Sequence, residues 1–324
     1  MAYFRPIDTS SKPKRETGDM RRPVYVVFIV DTSLSMGDDF VLDRDEESFP
    51  KMEELNCGLE DALNALRRFE EGNASHTVYF QIIELNRYGR ALFPDFVPLS
   101  PPSEPICFKA KGVTCLENSL ATLKTFLEPR HMADGRCSVS VILISDGYPT
   151  DAEGYVVDEP TYKNVIRDFK MNLEDRGVQA NVDLYAIGVG PDARQEMLSF
   201  FADEGRCYMV ENVQLLARTL VFVVGKSMVS MTTRGKSTPQ IRDQETVKCL
   251  VDVRTATRRI AETGCFGAVC LACLRICPFS AIEQRNGLVM IRPDRCVGCG
   301  YCDSVCSAAA IGCISDPPES IEGV

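Results

Sequence analysis

The chain has 324 residues, and this length predicts two domains because an ordinary domain contains about 100–200 residues. Hydrophobic residues make up 45% of the sequence and charged residues 25%, which is typical of a globular protein and excludes a disordered or fibrous chain. The formal net charge of -10 argues against nucleic acid or an anionic membrane surface as the main partner, since both bind basic surfaces.

Residues 1–22 are polar and mildly basic, and we interpret them as a flexible N-terminal tail. They lack the apolar core of a signal peptide. The longest fully apolar run, Val24 to Val30, is much shorter than the stretch of about 20 residues that a membrane-spanning helix requires. We therefore expect a cytoplasmic protein without a membrane span. In that reducing compartment, clustered cysteines usually bind metal rather than form disulfides.

A domain over residues 23–231 is predicted from alternating strand and helix patterns. Short runs rich in Val, Ile, Tyr or Phe predict strands at Val24–Asp31, Thr77–Leu85, Val139–Asp146 and Val182–Val189. Apolar residues at three- and four-residue spacing predict helices at Met52–Phe69, Leu116–Leu127, Thr161–Arg176, Arg194–Ala202 and Val213–Val224. This alternation predicts an α/β fold, a doubly wound and mostly parallel sheet flanked by helices.

Three connecting segments of this domain are less regular. Asp38–Glu54 contains eight acidic residues, and we interpret it as a solvated loop after the first strand. Tyr88–Phe93 is a candidate for a short extra strand. Phe93–Phe108 contains five prolines and is predicted to be an extended loop.

Oxygen-bearing side chains follow several of the predicted strands. Asp31, Ser33 and Ser35 form a D-x-S-x-S sequence at the end of the first strand, whereas Thr114 and Asp146 occur at later strand ends. In open α/β sheets, ligands bind outside the carboxyl ends of the strands. Carboxylate and hydroxyl oxygens suit a hard cation such as Mg²⁺, although Asp and Ser also favour turns after strands.

This arrangement resembles the metal-ion-dependent adhesion site of von Willebrand factor A domains, over about residues 22–230. The stretches Pro23–Val26, Ile144–Asp151 and Gly188–Pro191 look most like bacterial A-domain proteins associated with tellurium-resistance gene clusters. The resemblance implies a Rossmann-like fold and a non-catalytic role. It also implies that Mg²⁺, or Mn²⁺ or Ca²⁺, is completed by an Asp or Glu of a protein partner.

After a predicted linker at residues 232–247, the sequence becomes rich in cysteine. Ten of the 15 cysteines lie in the last 76 residues. Residues 248–316 form this cysteine-rich module, which is followed by an acidic tail at 317–324. The module has an internal repeat with an offset of 29 residues: Cys270, Cys273 and Cys277 recur as Cys299, Cys302 and Cys306, and Ala281-Ile282 recurs as Ala310-Ile311.

The cysteine spacing is that of bacterial ferredoxins. The second half has the pattern Cys296-x2-Cys299-x2-Cys302-x3-Cys306, and the first half has Cys265-x4-Cys270-x2-Cys273-x3-Cys277-Pro278. Three close thiolates bind one cluster while the fourth reaches the other cluster. A pair of Zn(Cys)₄ sites is the alternative, but zinc sites usually combine two separate cysteine pairs. The module therefore resembles a small α+β ferredoxin with two [4Fe–4S] clusters.

This resemblance implies two ligand sets. The first cluster takes Cys265, Cys270, Cys273 and Cys306, and the second takes Cys277, Cys296, Cys299 and Cys302. The first half departs from the pattern, because Gly267 stands where the repeat offset requires a cysteine. Cys265 is expected to substitute as ligand; otherwise the first cluster contains three irons or is labile. We interpret Cys115, Cys249 and Cys313 as small buried residues.

Three functions remain open. The two histidines, His76 and His131, lie outside recognisable nucleophile and zinc motifs, and the absence of a P-loop gives a kinase or hydrolase little support. The first hypothesis is an adaptor whose cation binds a partner carboxylate and whose clusters sense redox state or transfer electrons. The second is the electron-transfer subunit of an oxidoreductase. The third is a partner of a chelatase-like ring-forming ATPase.

Overall fold

A computed structural model gives the fold. It describes residues 21–37, 39–40, 49–73, 75–99, 106–128, 131–132, 137–175, 181–191, 193–210, 215–233, 258–260, 265–277, 279–292, 295–296, 302, 306, 308 and 310–313.

One sheet organises the first part of the chain. The strands are β1 (Arg22–Asp31), β2 (Asp39–Phe40), β3 (Phe49–Pro50), β4 (His76–Leu85), β5 (Val97–Pro98), β6 (Ser138–Ser145), β7 (Asn181–Val189) and β8 (Cys207–Val210). Six of them form a sheet in the order β5-β4-β1-β6-β7-β8, in which β5 is antiparallel to β4 and all other neighbours are parallel. The short strands β2 and β3 pair with each other.

Helices cover both faces of this sheet. They are α1 (Lys51–Gly72), α2 (Leu116–Phe126), α3 (Glu159–Asp175), α4 (Gln195–Phe201) and α5 (Leu216–Thr233). Side chains of β1 alternate between the two faces, as expected for a strand buried on both sides. Val26 and Phe28 pack in the core formed with α1 and α5, whereas Val27 and Ile29 pack with α2, α3 and α4. The predicted doubly wound α/β fold is confirmed.

The predicted boundaries agree with the structure to within a few residues, except for α5. That helix begins at Leu216 and continues to Thr233, past the predicted end at Val224. Strands β5 and β8 were not predicted. Within Tyr88–Phe93, the structure forms a single antiparallel bridge between Ile83 and Ala91. Part of the acidic segment Asp38–Glu54 belongs to β2, β3 and the first turn of α1 rather than to a loop.

The cysteine-rich module is small and has both helix and strands. Its elements are β9 (Arg258–Ile260), α6 (Ala272–Ile276), β10 (Ile282–Arg285), β11 (Leu288–Ile291) and β12 (Ile311–Cys313). Antiparallel pairs form between β10 and β11 and between β9 and β12. Strand β12 follows β10 at about the repeat offset, and β11 follows β9 in the same way. The sequence repeat is therefore a repeat of structure.

Most of the predicted tail (1–22), linker (232–247) and acidic tail (317–324) lies outside the described residues. Within the described residues, no helix combines the length and apolar character needed to cross a membrane.

Candidate metal centres

Two neighbouring parallel strands bring the carboxylates of the candidate cation site together. Asp31 is the last residue of β1, and Asp146 directly follows β6, which pairs with β1. Both side chains are buried. The Ser145 hydroxyl donates a hydrogen bond of 2.5 Å to Asp31 Oδ2, and the Ser33 backbone N–H donates one of 2.8 Å to Asp31 Oδ1. The register of the sheet thus fixes the orientation of the Asp31 carboxylate.

The remaining predicted ligands lie on two loops that are joined to each other. Ser33 Oγ and Ser35 Oγ are 3.0 Å apart. The Leu34 N–H donates to the Gly112 carbonyl at 3.3 Å, which links the loop after β1 to the loop that ends at Thr114. Thr114 is buried, and its N–H donates to Thr150 Oγ1 at 3.0 Å. All five predicted side chains therefore lie at the same edge of the sheet.

The electrostatics of this edge favour a cation. Burial raises the pKa of Asp31 to about 7, and the negative charge of Asp146 adds to this rise. Asp146 Oδ1 and Thr32 Oγ1 are buried without a hydrogen-bond partner. A buried oxygen without a partner costs free energy, and a divalent cation supplies the missing contact. These carboxylate and hydroxyl oxygens fit a hard cation such as Mg²⁺.

Sequence reasoning missed two residues of this site. Ser145 lies inside the quoted motif, but its bond to Asp31 depends on the register between β1 and β6. Lys51 begins α1, and its Nζ lies 3.6 Å from Asp146 Oδ2 and donates to the Ser35 carbonyl at 3.3 Å. The one signal for Lys51 was its position at a helix N-terminus, where a cation opposes the helix dipole.

The cysteine-rich module places the four thiols of the first predicted set around one cavity. Cys265, Cys270, Cys273 and Cys306 line a solvent-open space of about 370 Å³, together with apolar residues such as Leu271. Burial raises the pKa of the Cys273 thiol, and the neighbouring thiols of Cys265 and Cys306 raise it further. Four thiols in an apolar surrounding are the donors that an iron–sulfur cluster requires.

The second predicted set is described in part. Burial raises the pKa of Cys277, and the nearby Cys296 thiol adds to this effect. Cys302 is buried, whereas Cys299 lies outside the described residues. Among the residues that the structure describes, no three Cys, His, Asp or Glu side chains are grouped closely enough to hold a metal ion as placed.

The two halves of the module make matching hydrogen bonds to sulfur. The Ala281 N–H donates to Cys277 Sγ and the Ala310 N–H donates to Cys306 Sγ, each at 3.3 Å. These residue pairs are separated by the repeat offset. Backbone N–H groups directed at cysteine sulfur are a means of tuning cluster potential. Both of these cysteines follow the close cysteine triplet of their half.

The other cysteines interpreted as packing residues have different outcomes. Cys115 is buried, and this burial raises the pKa of its thiol, as for an unreactive packing residue. Cys313 belongs to β12, of which the backbone alone is described at that position. Cys249 lies outside the described residues.

Curated proteins similar to this chain are ferredoxins. An uncharacterised ferredoxin of Methanocaldococcus jannaschii is 40% identical over 48 residues, which cover 14% of this chain and 77% of that protein. The cysteine-rich module belongs to the ferredoxin family. A ferredoxin of Saccharopolyspora erythraea is 38% identical over 60 residues, and these cover 18% of this chain and 56% of that ferredoxin. This ferredoxin module is also 39% identical over 49 residues to the formate dehydrogenase iron–sulfur subunit of Haemophilus influenzae, of which it spans 16%.

The extent of these matches is limited. The chain spans 24% of another Methanocaldococcus jannaschii ferredoxin and, as stated, about half of the Saccharopolyspora erythraea protein. No protein-family model matches the chain. A von Willebrand factor type A protein from Catenulispora acidiphila has a similar structure, with 16% identity and a TM-score of 0.42 over 75% of this chain and 47% of that one. The α/β fold assignment rests on the strand order and register rather than on this likeness.

Proposed function

We propose that the chain is a non-catalytic adaptor that binds a protein partner through a divalent cation and carries a redox-active ferredoxin module. The cation is Mg²⁺, or Mn²⁺ or Ca²⁺, held by Asp31, Ser33, Ser35, Thr114 and Asp146. An Asp or Glu of the partner completes its coordination. The ferredoxin module holds two [4Fe–4S] clusters on the two ligand sets given above, and it senses redox state or passes electrons to the bound partner.

One observation supports the cation site most strongly. Asp146 Oδ1 is buried without a hydrogen-bond partner beside the buried carboxylate of Asp31. Two carboxylates in such a position repel each other, as the raised pKa of Asp31 indicates. Bound Mg²⁺ usually keeps part of its coordination sphere for water or a partner group. A partner carboxylate is a suitable anion for that position.

Metal binding and partner binding test the proposal together. The full chain is dialysed against Mn²⁺ under anaerobic conditions, and bound manganese is counted for the native protein and for Asp31→Ala and Asp146→Ala. The matched control is Asp168→Ala, because Asp168 is an exposed carboxylate on α3. Both site variants are expected to lose manganese and any partner that depends on it. Retention of the same partners by both variants contradicts the adaptor function.

The tellurium-resistance setting is the finer part of this proposal. It rests on the three sequence stretches that flank the strand ends, including Ile144–Asp151. Deletion of the gene is expected to increase sensitivity to tellurite, and the native gene but not Asp31→Ala is expected to restore growth. Equal tellurite tolerance with and without the gene contradicts this setting, while leaving the adaptor function to the binding experiment.

A second candidate function is electron transfer to an oxidoreductase. Phe266 and Val269 are 62% and 92% exposed, and they belong to the segment between Cys265 and Cys270. Apolar surface beside the first ligand set is suited to contact with a redox partner, and the acidic chain favours a basic one. Val269→Lys is expected to slow electron delivery to the partner. Under this function, Asp31→Ala leaves the delivery rate unchanged, whereas under the adaptor function it lowers that rate.

A further inference from the structure

Lys51 brings a positive charge into the cation site. It is the first residue of α1, where a cation opposes the helix dipole and gains no stability from it. Its side chain is 12% exposed, which is unusual because lysine is almost never buried without a charged partner. The contacts of Nζ with the Asp146 carboxylate and the Ser35 carbonyl account for this burial.

The end of β7 leaves space for this side chain. Gly190 follows β7 with a φ of +92°, and a Cβ atom at that position would lie 3.4 Å from Lys51 Cε and 3.7 Å from Nζ. The lysine chain therefore extends along the Gly190 backbone towards Asp146. This route fixes the position of the ammonium group at the edge of the site.

The two oxygens of Asp146 have separate roles in this arrangement. Oδ2 faces the Lys51 ammonium, whereas Oδ1 is buried and has no hydrogen-bond partner. A metal ion can use Oδ1 while the lysine keeps its contact with Oδ2. Lysine and metal therefore do not exclude each other, and Lys51 is a positioning residue for the Asp146 carboxylate.

Charge counting gives the consequence. Two carboxylates and one ammonium leave the metal-free site with a single negative charge, and a divalent cation changes this to a single positive charge. Without the lysine, the loaded site would be neutral. A fixed positive charge near the metal repels the cation and attracts an anion, and both effects are strong at short distance in a poorly hydrated site.

We propose that Lys51 is a fixed counter-charge that weakens divalent-cation binding and makes the loaded site select a carboxylate-bearing partner. This inference rests on the proposed cation site and names the group that gives it preference for an acidic partner. The exposed surface beside the site fits such a partner. Leu34 is 67% exposed, and the Arg194 guanidinium lies 4.6 Å from the ring centroid of Tyr148, which is 41% exposed. An acidic side chain with an apolar neighbour matches this surface.

The test compares manganese binding to the anaerobically purified full chain with and without the lysine charge. The variants are Lys51→Met, Lys51→Arg, which keeps the charge, and Lys163→Met as a control on α3. Equilibrium dialysis with elemental analysis gives the Mn²⁺ affinity in sodium chloride and in sodium acetate at equal ionic strength. Acetate serves as the carboxylate probe, because a ligand that binds the loaded site tightens Mn²⁺ binding by the same factor.

Lys51→Met is expected to bind Mn²⁺ about tenfold more tightly than the native chain, because the repulsion from one charge is removed. The tightening of Mn²⁺ binding by acetate is expected to disappear in this variant. Lys51→Arg and Lys163→Met are expected to resemble the native chain in both measurements. A lysine with a purely structural role would not produce a gain in metal affinity on its removal.

Each contrary result has a separate meaning. Equal or weaker Mn²⁺ binding by Lys51→Met overturns the counter-charge. Tighter Mn²⁺ binding with an unchanged acetate effect overturns the selection of a carboxylate. A native chain that binds no more Mn²⁺ than Asp31→Asn overturns the proposed function itself.

Discussion

Phe279 of the ferredoxin module packs edge-on against Phe69 of α1, with ring centroids 6.3 Å apart and an angle of 70° between the rings. Phe279 is 2% exposed and belongs to the same hydrophobic core as α1 and α5. Beside it, the Ser280 hydroxyl donates to the Gly72 carbonyl at 3.2 Å. The helix that begins with Lys51 at the cation site therefore contacts the ferredoxin module near its other end.

The internal repeat supplies a test of this contact. The residue that corresponds to Phe279 in the other half of the module is Ala308, so the repeat itself accommodates alanine there. Phe279→Ala is expected to lower the free energy of unfolding by about 3 kcal/mol, because it leaves a cavity against Phe69. Urea unfolding followed by circular dichroism gives this value, and limited proteolysis is expected to release the module faster.

Phe266→Ala is the control for this variant. Phe266 lies in the same module but is exposed, so its loss is expected to change stability by no more than about 0.5 kcal/mol. Equal effects of the two substitutions would contradict a specific contact between Phe279 and Phe69.

Asp31→Asn is expected to stabilise the metal-free protein at neutral pH. The folded protein retains the Asp31 proton up to about pH 7, whereas the unfolded chain loses it near the ordinary pKa of 3.8. Between these values the unfolded state binds fewer protons, so the stability of the native chain falls as pH rises, by at most about 1.4 kcal/mol per pH unit. Asparagine removes this dependence because it does not titrate.

Thermal unfolding in EDTA between pH 4 and pH 8 measures this effect. The advantage of Asp31→Asn over the native chain is expected to grow with pH across the window and to level off above about pH 7. Asp168→Asn, which changes an exposed carboxylate, serves as control. An advantage that is the same at pH 4 and pH 8 would show that burial of the Asp31 charge is not its cause.

Gly147→Ala is expected to disturb the cation site through the backbone. Gly147 follows Asp146 with a φ of +88°, and a Cβ atom there would lie 2.8 Å from the Arg194 backbone nitrogen. That N–H donates to the Asp146 carbonyl at 3.1 Å. The substitution is expected to cost about 2 kcal/mol or more in stability and to weaken Mn²⁺ binding.

Gly112→Ala separates strain from the close approach. Gly112 also has a positive φ, of +83°, but nothing lies within 4 Å of a Cβ atom at that position. It is expected to show the backbone cost of about 1–2 kcal/mol without the additional clash. If both alanine variants lose the same stability, the approach of Arg194 to Gly147 has no energetic role.

Cys265→Ser tests the unusual ligand of the first set. If Cys265 binds the first cluster, the variant is expected to fall from about eight to about seven irons per chain, with an oxidised three-iron signal in electron paramagnetic resonance. Cys107→Ser is the control, because Cys107 is exposed and lies in the α/β domain. Iron content equal to that of the native chain would exclude Cys265 as a required ligand.

The fold of this chain was predictable where burial imposes a clear pattern. Strands β1, β6 and β7 are buried on both faces, so continuous apolar runs such as Val24–Asp31 located them. The cation site was predictable because its ligands follow these strands. Strand β5 is two residues long, and a segment of that length has no detectable period.

The missed site residues depend on tertiary contacts. The role of Ser145 needs the register between β1 and β6, and the role of Lys51 needs the direction in which α1 starts beside Asp146. Phe279 has the pattern of an ordinary apolar residue, and its burial depends on docking against Phe69. None of these three relationships produces a local signal in the sequence.

The metal content of the anaerobically purified full chain, after equilibration with Mn²⁺ and removal of excess ion, tests the central claim most directly. The claim is that one chain combines a divalent-cation site with a ferredoxin module that holds two clusters. Elemental analysis is expected to give about eight irons and about one manganese per chain. Zinc in place of iron, or manganese no higher than in the Asp31→Ala variant, would contradict it.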